Sequence, residues 1–287
     1  MSELLCTVKS GGLFTTIQDL GRPGFRQFGV PVSGALDQES AALANTLVGN
    51  PIEYPLLEIT QTGPYLEFEK YGALAIAGAN LSPRLNGIDI PNHETVFFAK
   101  GDVLSFGQPK TGIRAYLAFS GELQVERLFG SVSTHTGNQW GGLNGQTLQK
   151  GDQLRIVPPS QHIQHQKIRH QIRTTNTIRV TKSMEFEALE NSDQERLFSQ
   201  DWIVASESNR MGIRLSGASL ISKLPEMISS PTDTGIIQLP PSGLPIVLMN
   251  DSAAIGGYPR ICAVLREDLP IISQKPPGAT IRLKLIT

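Results

Sequence analysis

Apolar positions along this chain fall in short runs, with helical spacing in only two places. Runs at 4–8, 56–60, 65–68, 73–77, 94–98, 103–106 and 114–119 are bounded by Gly, Pro or Asn, the mark of strands joined by tight turns. The same rhythm resumes at 178–181, 202–205, 212–215, 236–239, 246–249, 261–265 and 280–286. Asn86-Gly87 between Leu85 and Ile88 predicts a two-residue hairpin, because a type I′ turn needs positive φ at both central residues. One helix is expected after Asp37, where Ala42, Leu43 and Leu47 fall on one face, Asp37 can cap the first turn, and Gly49-Asn50-Pro51 end it. A second is expected over 186–198, broken near Asn191-Ser192-Asp193, which supplies a cap for its second part. Many short strands and few short helices predict an all-β fold, a barrel or sandwich rather than a parallel α/β sheet.

Two stretches interrupt that rhythm. Residues 13–49 concentrate Gly21, Gly24, Gly29, Gly34, Pro23 and Pro31 among Asp19, Arg22, Arg26 and Asp37. Such a run must fold as tight turns, since Gly supplies positive φ and Pro sets φ. Charged groups on stiff turns are placed groups, in either a functional loop or a structural loop tying strands together. Asp37 has two readings, helix cap or site residue, and one carboxylate can serve as both. The other stretch, 158–176, is rich in Gln and His and poor in large apolar residues. It is read as a linker at 161–176 between an N-terminal lobe, 1–160, and a C-terminal lobe, 177–287. His162, His165 and His170 lack carboxylate or thiol company there, so no metal site is expected. Gly-Asp turns at Lys100-Gly101-Asp102 and Lys150-Gly151-Asp152 precede apolar strands. They are ordinary turn chemistry or the trace of repeated barrel corners.

Composition narrows the function. A chain of 287 residues that is 39% hydrophobic can bury one large or two modest cores, and two lobes fit the pattern better. A formal net charge of -1 with 18% charged residues gives no basic stripe, which argues against nucleic acid as a partner. Cys6 and Cys262, the two cysteines, sit in apolar runs without metal-type spacing and read as buried, inert thiols. No signal-like start or apolar run long enough for a membrane span is found, so a soluble, cytoplasmic protein is expected.

Candidate chemistry lies where charge and glycine meet: Gln18-Asp19-Leu20-Gly21-Arg22, Ser208-Asn209-Arg210-Met211-Gly212, and Asn250-Asp251 ahead of Gly256-Gly257-Tyr258. A cleft between lobes holding Asp19, Asp37 and Asp251 against Arg22 and Arg210 would suit a small polar substrate bearing a carboxylate or amide. Arg presents a planar fork to such groups, and a carboxylate can act as base or polarise water. Gln18, Ser33, Gly34, Asn209, Gln238, Gly256, Gly257 and Tyr258 are the accompanying substrate-binding candidates. An interlobe salt-bridge network without chemistry is the structural alternative. No GxxxxGK[ST] phosphate loop, no GxSxG serine, no Cys with a nearby His and no biotin-attachment sequence is present.

The segments TTIQDLGRPGFRQFGVPVSGALD, LANTLVGNP, GSVSTHTGNQWGGLNG, SNRMGIRLSG, IVLMNDSAAIGGYPRI and DLPIISQKPPG resemble, in order and across nearly the whole chain, one family. It contains the 5-oxoprolinase C subunit, the second allophanate-hydrolase subunit, the KipA regulators and the carboxyltransferase domain of urea carboxylase. The resemblance implies cyclophilin-like β-barrels in both lobes and, foremost, the C subunit of an ATP-dependent 5-oxoprolinase that opens 5-oxoproline to glutamate. Its partners would be a subunit-B-like, KipI-type protein and the 5-oxoprolinase A subunit, with ATP used by the complex and no biotin attached to this chain. Two alternatives stay open: carboxyl transfer from carboxybiotin on a partner, or a KipA-type regulator that binds a kinase inhibitor. The chain departs from the family pattern at Val132, where Arg is common, at His135, where Tyr is common, and at Ala253-Ala254, where Gln-Thr is usual. Loss of polar groups there implies altered recognition or lost activity.

Overall fold

The computed structural model describes residues 2–159, 163–170, 172–224 and 226–286. His162 lies outside the described residues. The chain divides into two compact units, Met1–Arg22 with Ser33–Ile172, and Pro23–Val32 with Arg173–Thr287. Residues 23–32 of the glycine- and proline-rich stretch 13–50, the signature loop, thus group with the C-terminal half of the chain.

The first unit begins with β1 (Glu3–Ser10), β2 (Phe14–Gln18), helix α1 (Gln38–Leu47), β3 (Leu56–Thr60), β4 (Tyr65–Phe68) and β5 (Gly72–Asn80). The hairpin β6 (Arg84–Leu85) and β7 (Ile88–Asp89) follows, turning on Asn86 at φ 53° and Gly87 at φ 80° as its sequence demands. β8 (Thr95–Phe98), β9 (Val103–Ser105), β10 (Thr111–Phe119), β11 (Glu122–Leu123) and β12 (Gln153–Val157) complete it. The strands make a seven-stranded sheet, β11-β12-β1-β4-β9-β6-β7, and a five-stranded sheet, β2-β3-β10-β5-β8. A shared core of Leu5, Val8, Leu66, Phe68 and Leu104 from one sheet and Ile17, Leu57, Ile59, Ile76, Leu117 and Phe119 from the other joins them.

The five-stranded sheet is buried on both faces. Leu57 and Ile59 meet the core, whereas Leu56, Ala75, Ala77, Tyr116 and Ala118 meet Ala41, Ala44 and Leu47 of α1. Small side chains on sheet and helix let the two approach closely. Alternation along β3 therefore turns Glu58 toward the helix side, where it is 1% exposed.

Two local outcomes differ from the pattern reading. Thr15, Thr16 and Ile17, inside the stretch expected as turns, pair with β3 from Phe14 opposite Thr60 to Gln18 opposite Leu56. β-Branched residues favour that extended pairing, and the turns begin only at Asp19. Within the Gln/His-rich stretch, Thr95 N–H donates to the Gln166 carbonyl (2.9 Å) and Ile168 N–H to the His93 carbonyl (3.0 Å). Lys167 (2.8 Å) and His165 (2.9 Å) meet Glu94. Main-chain bonds order this piece beside β8 without needing apolar side chains, so composition hid it.

The second unit comprises β13 (Thr177–Lys182), α2 (Asn191–Ser199), β14 (Trp202–Val204), β15 (Gly212–Ser216), β16 (Ser230–Pro231) and β17 (Ile236–Gln238). It ends with β18 (Ile246–Leu248), β19 (Ile255–Gly256), β20 (Arg260–Val264), α3 (Leu269–Ser273) and β21 (Thr280–Leu285). Seven strands close into a barrel, β13-β20-β17-β18-β15-β14-β21, in which β13 and β21 are parallel. Ile178, Val180, Ile281 and Leu283 point inward, between exposed or half-buried neighbours. β16 and β19 form a separate two-stranded ribbon. α3, five residues with Pro at its start, was too short to show a period. Asp193 is not a cap: it lies within the first turn of α2, pairs with Arg196 (2.7 Å) and accepts from the Ile221 N–H (2.6 Å). The fold is all-β with a few short helices.

Candidate functional site

In the first unit the signature loop is organised around Asp19, which is 6% exposed. One carboxylate oxygen accepts from Ser131 Oγ (2.6 Å), Ser133 Oγ (2.5 Å) and Gly21 N–H (2.8 Å), and the other from Val132 N–H (2.8 Å). Arg22, 1% exposed, donates through Nη2 to the Ser133 carbonyl (2.5 Å). Gln18 donates to the Thr134 carbonyl (3.1 Å) and to Thr16 Oγ1 (2.9 Å). Gln18, Asp19 and Arg22 are thus brought together on the segment 131–134. Neither serine was singled out by sequence reasoning, and the only signal was the GSVST block itself.

Gly34 adopts φ +83°, and a Cβ there would stand 2.7 Å from Gly21 N, so the two turns touch through backbone alone. Ser33 beside it is fully buried at φ 54°, and its hydroxyl has no hydrogen-bond partner. Asp37 caps α1, accepting from Ser40 N–H (3.0 Å) and Ser40 Oγ (2.7 Å). Its own N–H donates to Tyr116 Oη (2.8 Å), which donates to Glu58 (2.9 Å), and Leu36 N–H reaches the same Glu58 oxygen (2.9 Å). Burial, followed by Glu58 and Asp37, pushes the Tyr116 phenol well above its ordinary value, so it stays an O–H donor. Glu58, Tyr116 and the buried Arg114, whose Nε stands 4.0 Å from Glu58 Oε1, have no signature in the sequence pattern beyond one acid inside the apolar run LLEIT.

Two of the positions that depart from the family pattern have local roles. Val132 is 1% exposed and packs in the core, while its N–H holds Asp19. His135 Nδ1 accepts from Asn138 N–H (3.0 Å).

In the second unit Arg210 and Asp251, both 5% exposed, form a two-point pair, Nε to Oδ2 at 2.8 Å and Nη2 to Oδ1 at 3.1 Å. The fork geometry fixes both side chains at once. Asn209 is a turn former, its Oδ1 accepting from Met211 N–H (2.8 Å). Arg26 reaches Thr232 and the loop after Asp251: Nη2 donates to the Thr232 carbonyl (2.9 Å), Thr232 Oγ1 (3.3 Å) and the Ala253 carbonyl (3.1 Å). Burial draws its guanidinium below its ordinary value, against the pull of Asp233, yet it remains a cation. Gln238 lies over Gly256 and donates a long 3.5 Å bond to the Tyr258 carbonyl. The Gly257 carbonyl accepts from Met227 N–H (2.7 Å). Tyr258 is 38% exposed. Arg26 was noted in the sequence as one charge among several but not as a site residue.

Both cysteines are fully buried, and burial pushes the Cys262 thiol up to about 12 and Cys6 higher still. Neither is poised as a nucleophile. Among the described residues no group of three His, Cys, Asp or Glu side chains is placed to hold a metal ion, and no helix is long and apolar enough to cross a membrane.

The architecture is a closed seven-stranded barrel in one unit and two sheets in the other. The chain belongs to the family described as carboxyltransferase domain, subdomain A and B, whose pattern matches residues 28–285. It is 37% identical to the 5-oxoprolinase C subunit of Escherichia coli, over 94% of this chain and 87% of that protein. It is 34% identical to the 5-oxoprolinase C subunit of Haemophilus influenzae, over 95% of this chain and 88% of the other. The crystal structure of the K. lactis urea amidolyase superposes with a TM-score of 0.92 at 29% identity, covering all of this chain but 19% of that one.

Proposed function

We propose that this chain is the C subunit of a cytoplasmic, ATP-dependent 5-oxoprolinase, working with a subunit-B-like, KipI-type partner and an A subunit, and inactive alone. One observation carries the reading: over 94% of this chain the identity to the E. coli 5-oxoprolinase C subunit is 37%, against 31% to the urea amidolyase of Saccharomyces cerevisiae. Opening 5-oxoproline breaks the ring C–N bond. Water supplies hydroxyl to the carbonyl carbon and a proton to the nitrogen, giving glutamate.

ATP is used by the complex, with a partner as one place for its site; this chain carries no phosphate loop of the GxxxxGK[ST] kind. In this reading Arg210 orients Asp251, and Asp251 orients or polarises the lactam amide or the incoming water. Asp19 and Arg22 hold the 131–134 segment in shape, and Asp37 sets the start of α1. Asn209, Gln238, Gly256, Gly257 and Tyr258, in the same unit as Asp251, are the candidates for contact with the substrate, and Gln18, Ser33 and Gly34 belong to the other unit.

The test is reconstitution with the A and B subunits and measurement of ATP-dependent glutamate formation from 5-oxoproline, which should fall at least tenfold with Asp251→Asn. Avidin-sensitive carboxyl transfer by the assembly would instead establish the carboxyltransferase alternative. Tight association with the subunit-B-like protein and no turnover of either kind would leave a KipA-type regulator.

A further inference from the structure

Around Arg26 the second unit holds donors that its own fold does not use. Arg26 Nη2 makes all three of that side chain's hydrogen bonds, whereas Nη1 is shielded from solvent and has no protein partner. Ser252 is 2% exposed, and its hydroxyl has no partner either. The two positions adjoin, because Arg26 grips the carbonyl of Ala253, the next residue after Ser252. Gly256 marks a third donor beside them. A Cβ there would stand 2.6 Å from Gln238 Nε2 and 3.2 Å from Thr232 Cγ2. Only a glycine at 256 lets the Gln238 amide, held by a single 3.5 Å bond, and the Arg26-bound Thr232 pack this closely against the backbone.

Buried donors nearly always find an acceptor, and one left without costs about 1–3 kcal/mol. The acid nearest to this guanidinium, Asp233, approaches Nε at 3.8 Å and is 71% exposed, so it leaves Nη1 unanswered. A guanidinium N–H, a hydroxyl and a primary amide make the donor set that a planar, two-oxygen anion takes. We propose that Arg26, Ser252 and Gln238 form a carboxylate-binding subsite, which holds the carboxylate of 5-oxoproline while its ring amide is opened. The proposal rests on the 5-oxoprolinase reading for the identity of the ligand, and it makes Arg26 a specificity residue, since urea has no carboxylate to offer.

Titration of the purified full chain with L-5-oxoproline and with 2-pyrrolidinone, the same ring without the carboxylate, measures the subsite directly. Wild type should bind the acid at least tenfold more tightly, and both Ser252→Ala and Arg26→Gln should remove most of that preference. Ser252→Ala deletes only a hydroxyl with no protein partner, so it tests the subsite even if Arg26→Gln loosens the loop. In the reconstituted complex the same variants should raise KM for 5-oxoproline roughly tenfold. Equal binding of the two rings, or a preference that survives Ser252→Ala and Arg26→Gln, overturns the subsite and leaves these donors to a buried water only. Should the complex fail to open 5-oxoproline while the chain still binds the acid through Arg26 and Ser252, the enzymatic reading falls and the subsite stands.

Discussion

Each unit buries an aspartate and an arginine, and the two pairs are built differently. Asp19 accepts four hydrogen bonds from serine hydroxyls and backbone N–H groups, while Arg22 grasps the Ser133 carbonyl of the same segment. Both charges hold loops. Asp251 instead meets Arg210 directly, and the next residue, Ser252, is a buried hydroxyl that the protein does not engage. Burial of charge alone does not separate the two pairs. Hydrogen-bonding capacity left over after folding is the further thing to ask of each unit, at Ser33 in one and at Ser252 and Arg26 in the other, because a folded chain seldom leaves donors unanswered.

The comparison can be broken by mutation. Asp251→Ala removes the carboxylate from a nearly dry guanidinium and should lower stability by about 3–5 kcal/mol, read from urea unfolding. Arg210→Met combined with Asp251→Leu should recover much of that loss, whereas a double variant as unstable as the single would mean that the pair is not the unit of energy.

Next in size are the glycines of the signature loop. Gly34→Ala meets Gly21 and Leu20 backbone within 2.9 Å, but Gly24→Ala, at φ +92°, meets nothing within 4 Å. The first should cost roughly 3 kcal/mol and the second about 1 kcal/mol, the price of a left-handed φ alone. Equal losses would remove close backbone packing as the reason for Gly34.

Asp19→Asn keeps the shape and loses an acceptor oxygen, for an expected 1–3 kcal/mol, roughly, and raised hydrogen exchange at Gly21 and Val132. A loss exceeding that of Asp251→Ala would reverse the ranking of the two pairs.

The smallest effect is acid sensitivity in the second unit. Hydrogen bonds from Arg260 hold the Glu185 carboxyl below its ordinary value. For Asp268 burial pushes upward, but hydrogen bonds from the Arg179 side chain and backbone leave the net shift downward. Folded carboxyls with depressed values stabilise the protein above the ordinary carboxyl range, and that contribution is lost as pH falls through the folded values. Glu185→Gln should flatten the decline in unfolding free energy between about pH 5 and 3, read from urea titrations, by no more than about 1 kcal/mol.

Much of this molecule is legible in one dimension. Leu56–Thr60 and Tyr65–Phe68 have the bounds their apolar runs predict, and the Asn86-Gly87 hairpin and the Asp37 cap follow from neighbouring residues. β2 was hidden because its Thr-rich strand adjoins a glycine-rich loop, and α3 because five residues cannot display a helical period. Within the candidate site, Asp19 and Asp251 stood out by their glycine surroundings. Ser131 and Ser133 did not, since their meaning depends on an aspartate more than a hundred residues away.

By itself the sequence determined strand rhythm, turn positions, the helix cap and family membership, because these rest on periodicity, on φ preferences and on residues adjacent in the chain. Only the tertiary structure decided that Asp19 meets Ser131, Val132 and Ser133, that Glu58 faces a helix, and that Arg26 joins Thr232 and Ala253 with a donor to spare. Those outcomes are matters of which distant groups meet once water is excluded, and a buried polar atom acquires its role from its neighbours in space.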